Sequence, residues 1–269
     1  MRPTAAACTY ICLALVIGIP IVAGRVAAEE LRYGRLDSYC PFTCDISKDG
    51  QYGLVVDIFK AVTAMNGMTY RDVEVPSNRK YIALDADVSN VTTVWSTNRK
   101  AISSVVLAKE AIVASRWATA TKNDADFTFR KLDDLDRVRL IASSTLDHSQ
   151  EFAGYLATGT ESNRVIILHG MDIENRALQM LLLGRGYAFL ASMIPLGYAV
   201  KKLDFSNRVT ITHSPYFPTA YVYPGFSKNN PKAQQYADMM TNGIRELRKT
   251  GRLAKILAAY GVADWSAGK

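Results

Sequence analysis

The two cysteines at positions 40 and 44 are side chains whose type and spacing could do chemistry. Cys40 and Cys44 enclose a Pro-Phe-Thr sequence. Such a pair could form a disulfide, act as a redox centre or bind a metal ion. The spacing differs from the Cys-x-x-Cys of redox enzymes, and the only histidines, His148, His169 and His213, show no metal-ligand spacing. A structural disulfide is therefore favoured, provided that the protein reaches an oxidising compartment.

The beginning of the chain has the pattern of an export signal. An apolar run over residues 5–23 follows Arg2, and Val26-Ala27-Ala28 supplies the small residues that signal peptidase needs before Glu29. We therefore expect residues 1–28 to be a cleaved signal peptide and the mature protein to be periplasmic.

Two other interpretations of this segment remain. A membrane anchor is one, although Pro20 and Arg25 interrupt the run. A lipoprotein signal is the other, but Cys8 precedes the apolar core and Cys12 lacks small residues before it. Cleavage would remove both cysteines and leave the later pair alone in an oxidising compartment, where it is expected to form a disulfide.

Composition is that of an ordinary globular protein, with 49% hydrophobic residues and no low-complexity tract. The net charge is +7 for the whole chain, and about +5 without Arg2 and Arg25. The basic residues are spread among acidic ones. A nucleic-acid partner would need a cluster of basic residues, so we expect none.

Strand-like and helix-like segments alternate along the chain, which predicts an α/β fold. Strands are predicted over residues 31–33, 69–75, 88–94, 111–115, 138–142, 165–168 and 187–191. Helices are predicted over residues 54–65, 79–84, 132–136, 149–157, 173–183 and 195–201, and over 231–260 with a break at Gly251. The pattern restarts near residue 130, which suggests a second lobe inserted between two halves of the first.

Three stretches resemble the family 3 solute-binding proteins of bacterial ABC importers. The first joins residues 39–44 to a turn and the helix of residues 54–65. The second is the Asn230-Pro231 turn, two helices broken at Gly251, and Tyr260-Gly261. The third runs from Asp87 to Arg99. The resemblance covers almost the whole mature chain and implies a two-lobe type 2 periplasmic binding protein fold with a hinge of two crossing strands.

The resemblance implies a ligand site at Arg99. In amino-acid binders of the family this arginine holds the ligand carboxylate, and a guanidinium binds a carboxylate bidentately. A helix beginning near Ser96 would add backbone N–H donors. A surface arginine at a helix start is the alternative. Further implied ligand residues are Tyr39 as a stacking ring, Phe42, Trp95 as a roof or a core residue, and the hydroxyls of Thr92, Thr93, Ser144, Thr145 and Ser192.

The sequence departs from the family pattern in the second lobe. Ser143-Ser144-Thr145 replaces a Gly-Thr-Thr sequence, and Ser192 stands where amino-acid binders have an aspartate for the ligand ammonium. A neutral hydroxyl cannot offset a buried ammonium. We therefore expect a small carboxylate-bearing solute and not a standard α-amino acid.

These observations predict lobe 1 from residues 29–116 and 214–269, and lobe 2 from residues 117–213. The expected function is ligand capture between the lobes by a monomer that docks to an ABC permease or a membrane receptor, with no cofactor or metal. A sensory or accessory module is one alternative. A dehydratase-like enzyme is another, but no acid or base stands among the predicted cleft positions.

Overall fold

The structure, a computed structural model, describes residues 28–35, 39–76, 79–144 and 150–265, except for the side chains of Arg99 and Gln150. The strands are β1 (Glu30–Arg35), β2 (Thr69–Glu74), β3 (Thr92–Trp95), β4 (Val105–Leu107), β5 (Val113–Ser115), β6 (Trp117–Lys122), β7 (Leu140–Ser143), β8 (Val165–Leu168), β9 (Ala188–Ser192), β10 (Val209–His213) and β11 (Ala220–Ser227). The helices are α1 (Ile46–Asp49), α2 (Leu54–Met65), α3 (Lys80–Asp85), α4 (Arg99–Ser104), α5 (Gln150–Glu161), α6 (Ile173–Leu182), α7 (Met193–Lys202), α8 (Ala233–Lys249) and α9 (Arg252–Ala259). In the part of the chain so described, none of the helices is long and apolar enough to cross a membrane.

The first lobe is built on β1 to β5 and the returning strand β11. Strands β1 and β2 are parallel, and Tyr33 of β1 makes a parallel bridge to Val91, just before β3. Strand β11 lies antiparallel to β3, β4 and β5. Strands β1 and β3 therefore point the same way, and their carboxyl ends lie at one edge of this lobe.

The second lobe is built on one five-stranded sheet in the order β10-β6-β9-β7-β8. Strands β7, β8 and β9 are parallel, whereas β6 runs antiparallel to both of its neighbours. Helices α6 and α7 pack against one face of this sheet, and α5 and an aromatic cluster around Phe129 and Phe152 pack near the other. Both faces are thus covered, as expected for parallel strands.

The chain crosses between the lobes twice. It leaves the first lobe after Ser115 and enters the second at Trp117, and it returns between His213 and Ala220. The backbone N–H of Ser214 donates to the carbonyl of Trp117 at 2.9 Å, so the two crossings are hydrogen-bonded to each other. This pair of adjacent crossings is the predicted hinge.

Helix α2 is the centre of the first lobe's core because its apolar residues recur at helical spacing. Leu54, Ile58 and Val62 are fully buried. Helix α8 crosses α2 so closely that a Cβ at Gly243 would lie 2.4 Å from a methyl group of Val62. A glycine at this position allows the two helices to approach.

Some predicted elements differ from the structure. The strand predicted over residues 88–94 begins only at Thr92, because Asp87 has a left-handed backbone (φ 54°) and Val88 is exposed. Strands β6 and β10 were not predicted. The helix expected near Ser96 begins at Arg99, where the Asn98 side chain accepts a hydrogen bond from the Ala101 N–H.

The turn of residues 39–44 is held against the start of α2 by backbone hydrogen bonds. The N–H groups of Leu54 and Val55 donate to the carbonyls of Pro41 and Phe42 at 2.8 and 3.1 Å, and the Gly53 N–H donates to the Tyr260 hydroxyl at 3.0 Å. These bonds satisfy three N–H groups at the helix start that have no partner within the helix. Gly53 has φ 106°, and a Cβ there would lie 2.5 Å from the Phe42 carbonyl oxygen.

We expect Gly53→Ala to lower the free energy of unfolding by roughly 2–5 kcal/mol, because it adds backbone strain and a clash with the turn. Urea denaturation measures this loss. Gly50→Ala is the control, since Gly50 also has positive φ (69°) but a Cβ at this position would meet no atom within 4 Å, and it should cost only roughly 1–2 kcal/mol. Equal losses in the two variants would contradict the close contact.

Candidate binding cleft

The cleft lies between the carboxyl ends of the parallel strands of both lobes. On the first lobe, Tyr39 follows β1 and Trp95 ends β3. On the second, Ser144 follows β7, Ser192 ends β9, and the loop after β8 leads into α6. Ligands of α/β proteins commonly bind at such strand ends. The two edges therefore supply the side chains of the candidate site.

A short turn closed by a disulfide forms one wall of the cleft. Cys40 and Cys44 are bonded as predicted, and the Tyr39 N–H donates to the Thr43 carbonyl at 2.7 Å. The turn is therefore closed both covalently and by a backbone hydrogen bond. It holds Tyr39 and Phe42 at the edge of the first lobe.

Three aromatic rings form a packed group on this wall. Tyr39 stacks on Phe42 with ring centroids 5.5 Å apart, and Trp95 meets Phe42 edge-on at 5.6 Å. These rings, with Tyr33 and Thr93, line a cavity of about 30 Å³. That volume holds about one water molecule. The three rings are therefore packed with little free space beside them.

The phenols on this wall remain protonated at neutral pH. Burial raises the pKa of Tyr33 above its usual range, although a hydrogen bond with Thr93 opposes the shift. Burial also raises the pKa of Tyr39, and the negative charge of Glu174 raises it further. Both tyrosines therefore keep uncharged hydroxyl groups, which can donate or accept hydrogen bonds.

Glu174 is a partly buried acid that the sequence analysis did not consider. It lies in the first turn of α6. Burial raises the pKa of its carboxyl, and the nearby charge of Asp172 adds to the shift. The signal in the sequence was an acidic residue in the first turn of an amphipathic helix, which is also typical of ordinary solvent-exposed helix starts. Only the packing of α6 distinguishes the two.

The lobes are in direct contact across the cleft. Lys202 forms an ion pair with Asp49, the Gln51 side-chain amide donates to the Tyr198 hydroxyl at 3.1 Å, and Ile194 packs against the core of the first lobe. The pairing with Asp49 raises the pKa of Lys202. On the second lobe all three contacts come from α7, and on the first lobe the two polar ones come from Asp49 and Gln51.

Four of the predicted ligand residues lie together, and among the described residues Thr92, Ser144 and Ser192 lie apart from them. Tyr39, Phe42, Thr93 and Trp95 line the same cavity. Thr92 points to the opposite face of β3, as strand alternation requires. It is fully buried there, and its hydroxyl has no hydrogen-bond partner among the described residues.

The predicted ligand residues of the second lobe that the structure describes, Ser192 and Ser144, each bond to another part of the chain. The Ser192 hydroxyl is 2.6 Å from that of Ser115, so it joins β9 to the first crossing strand. Ser144 is exposed, and its N–H donates to the Leu168 carbonyl at 2.9 Å. Thr145 and the Arg99 side chain lie outside the described residues. Their predicted roles stay predictions.

One group of possible metal ligands occurs in the described part of the chain. The Cys40 and Cys44 sulfurs and the Asp49 carboxylate lie within 4.8 Å of one another. Metal ions bind the thiolate form of cysteine, and both sulfurs are committed to the disulfide. The group is therefore no metal site while that bond is intact.

Solved structures with the same architecture are found at low sequence identity. A histidine kinase sensor domain with similarity to periplasmic binding proteins is 17% identical with a TM-score of 0.66, over 88% of this chain and 98% of that one. The substrate-binding protein of an amino acid ABC transporter is 17% identical with a TM-score of 0.64, over 86% and 98%. The chain has the two-lobe periplasmic binding protein fold.

Two further similar structures come from named organisms. The periplasmic VFT2 domain of BvgS from Bordetella pertussis is 16% identical with a TM-score of 0.63, over 87% of this chain and 93% of that one. A structure described for glutathione import via GshT and the cystine ABC importer TcyBC of Streptococcus mutans is 13% identical with a TM-score of 0.69, over 88% and 97%. No family model and no curated protein matches the sequence. These similarities therefore establish the fold and leave membership of family 3 a prediction.

We expect protein that begins at Glu29 and is purified from the periplasm to contain no titratable thiol when unfolded without reductant, because an oxidising compartment maintains the Cys40–Cys44 disulfide. Thiol titration should find two thiols after reduction. Cys40→Ser should lower the free energy of unfolding by only roughly 2 kcal/mol, since the closed loop is short. Two thiols before reduction would contradict the disulfide.

Proposed function

We propose that this protein is a periplasmic solute-binding protein of the family 3 type, in which a small carboxylate-bearing solute binds between the lobes. The observation that carries the proposal is the cleft itself. Two lobes joined by adjacent crossings bring the aromatic turn of residues 39–44 opposite α6 and α7. Hinged closure around a ligand is the usual action of such an arrangement. The similar structures described above support this action.

The domain organisation proposed for this function has residues 1–28 as a cleaved signal peptide, 29–116 with 214–269 as lobe 1, and 117–213 as lobe 2. The sheet memberships support the two boundaries, because β6 to β10 pair only with one another in the described part of the chain. Export is supported by the sequence pattern and by the disulfide. Residues 1–27 lie outside the described part of the structure.

We propose Arg99 as the residue that binds the solute carboxylate. It is the first residue of α4, four residues after Trp95, which lines the cavity. The chain leaves the cleft wall through Ser96, whose N–H and hydroxyl both bond the backbone of Tyr221 at 2.8 and 2.9 Å. This anchored turn keeps the start of α4 beside the aromatic group. A guanidinium there would meet a carboxylate in the cleft.

Arg99→Ala is expected to weaken binding of the identified solute by at least ~30-fold, because removing one member of a buried charge pair costs roughly 2–5 kcal/mol. Isothermal titration measures this loss. The control is Arg252→Ala, since Arg252 is exposed on α9, and it should bind normally. Unchanged binding by Arg99→Ala would contradict this role and would leave Arg99 as a surface residue at the start of a helix.

A sensory module is the second candidate function. The observation that favours it is the direct contact between the lobes at the cleft rim, through Asp49–Lys202 and Gln51–Tyr198. A module whose lobes stay joined by such contacts would need little further movement on binding. Two of the similar structures are periplasmic or kinase-linked sensor domains. An ABC permease and a membrane receptor are therefore the two proposed partners of a monomeric protein.

Ligand-induced closure separates these candidates. The solute is first identified by thermal shift, since a ligand at 100 times its dissociation constant adds about 2.7 kcal/mol of stability. For an importer component we expect small-angle scattering to give a smaller radius of gyration with saturating solute. An unchanged radius despite a clear thermal shift would favour the sensory module.

A further inference from the structure

We propose that the turn of residues 39–44 becomes a metal site when its disulfide is reduced, with the sulfurs of Cys40 and Cys44 and the carboxylate of Asp49 as ligands for Zn²⁺ or a similar divalent ion. The two cysteines are bonded to each other in the structure, so the site exists only in the dithiol form. The inference concerns a second site with a different class of ligand, and it does not depend on the proposed solute.

Three possible ligand atoms already lie together at this turn. One sulfur from each cysteine and one oxygen of Asp49 all lie within 4.8 Å of one another. Ligand atoms around a tetrahedral zinc ion lie roughly 3.5–4 Å apart, so shifts on the order of 2 Å would place these three around one ion. Two cysteines separated by three residues also have a spacing that is common in zinc sites. Two thiolates and one carboxylate suit Zn²⁺ better than calcium or magnesium, which prefer oxygen ligands alone.

The backbone of the turn is closed independently of the disulfide. The Tyr39 N–H donates to the Thr43 carbonyl at 2.7 Å, and the N–H groups of Phe42 and Thr43 donate to the Tyr39 carbonyl at 2.9 and 3.1 Å. The start of α2 holds the same turn through the hydrogen bonds from Leu54 and Val55. The Cα atoms of the two cysteines are 4.7 Å apart, and we expect them to stay close after reduction. Little conformational entropy is then lost when both thiolates bind one ion.

Asp49 is held beside the sulfurs by its own segment. One carboxylate oxygen accepts a hydrogen bond from the Asp45 N–H at 3.0 Å, and the Asp49 N–H donates to the Asp45 carbonyl at 2.7 Å. The other oxygen is paired with the ammonium of Lys202, and the Asp49 side chain is only 5% exposed. A cation is therefore already bound at this carboxylate. A metal ion that uses the same oxygen would compete with Lys202 and break this ion pair between the lobes.

Reduction by a dithiol would begin at Cys40, which is partly exposed, whereas Cys44 is buried. A thiolate of the dithiol attacks the Cys40 sulfur, the bond between the two cysteine sulfurs breaks, and its electron pair leaves on the Cys44 sulfur. The second thiol of the reductant attacks the mixed disulfide and releases Cys40. Two electrons and two protons have then passed from the dithiol to the cysteine pair, and the reductant leaves as a disulfide. Binding of the metal ion releases the two thiol protons to water.

The test compares the two redox forms of wild-type protein that begins at Glu29. A phosphine reduces the disulfide, taking an oxygen from water to become the phosphine oxide, and is then removed without air. Co²⁺ is the spectroscopic probe, because thiolate ligands give it a strong absorption in the near ultraviolet. Isothermal titration measures the affinity for Zn²⁺. The reduced protein should show this absorption and should bind Zn²⁺ at least ~100-fold more tightly than the disulfide form. Reoxidation of the cysteine pair should release the ion.

Substitutions then assign the ligands in the reduced protein. Cys44→Ser should weaken Zn²⁺ binding by ~100-fold or more, and Asp49→Asn by roughly tenfold, because each removes an anionic ligand. Asp124→Asn is the matched control, since Asp124 is an exposed aspartate of the second lobe, and it should bind normally. Lys202→Met should bind Zn²⁺ roughly threefold or more tightly, because it removes the cation that competes for Asp49.

The outcomes decide this site separately from the solute. Equal Zn²⁺ affinity in the two redox forms, or no thiolate absorption with Co²⁺, overturns the site, and this comparison needs no substitution that could disturb folding. Unchanged affinity in Asp49→Asn, or no gain in Lys202→Met, overturns the ligand role of Asp49 and the proposal with it. The thermal-shift screen for the solute uses the disulfide form without metal, so its failure would reject the proposed function and leave the metal test unaffected.

Discussion

The contact between the turn of residues 39–44 and the start of α2 is the constraint on which the candidate site depends. A helix start exposes N–H groups that need acceptors, and here the carbonyls of Pro41 and Phe42 supply them. The approach is possible only because Gly53 has no side chain. The disulfide then closes the turn on itself. As a result, Tyr39 and Phe42 are held on the most buried helix of the first lobe.

On the proposed binding function, this fixed wall would allow closure to act as a recognition step. The first lobe presents rings whose positions are set by its core, while the second lobe presents α6 and α7 from a separate sheet. The two parts are connected through the crossings near Ser115 and Ser214 and through rim contacts. Rim contacts at the surface contribute little individually, so a ligand with favourable contacts to both walls can shift the relative position of the lobes.

The ionisable groups near the cleft differ between the two lobes. The first lobe contributes neutral phenols whose pKa values are raised by burial, and α6 of the second carries a partly buried acid. The hydroxyl of Ser192, at the end of β9, forms a hydrogen bond with the hydroxyl of Ser115, where the chain first crosses between the lobes.

Local elements and the disulfide could be predicted from the sequence alone. Helix α2 and strand β8 have the predicted bounds, because their apolar spacing matches one periodicity over the whole segment. Strand β6 was missed because Trp117 is followed only by Ala118 and Ala120 alternating with threonines, and such small residues mark a buried strand weakly. The cysteine pair was predictable from its spacing and the export pattern.

Which side chains meet in the cleft depended on the tertiary structure. Ser115 and Ser192 are 77 positions apart, and the parallel pairing of β7, β8 and β9 brings the loop after β8 to the same sheet edge as the end of β9. An acid in the first turn of a helix is the same local signal whether that turn faces solvent or another lobe. The burial that raises the pKa of Glu174 depends on what packs around the acid, and that is set by contacts between distant segments.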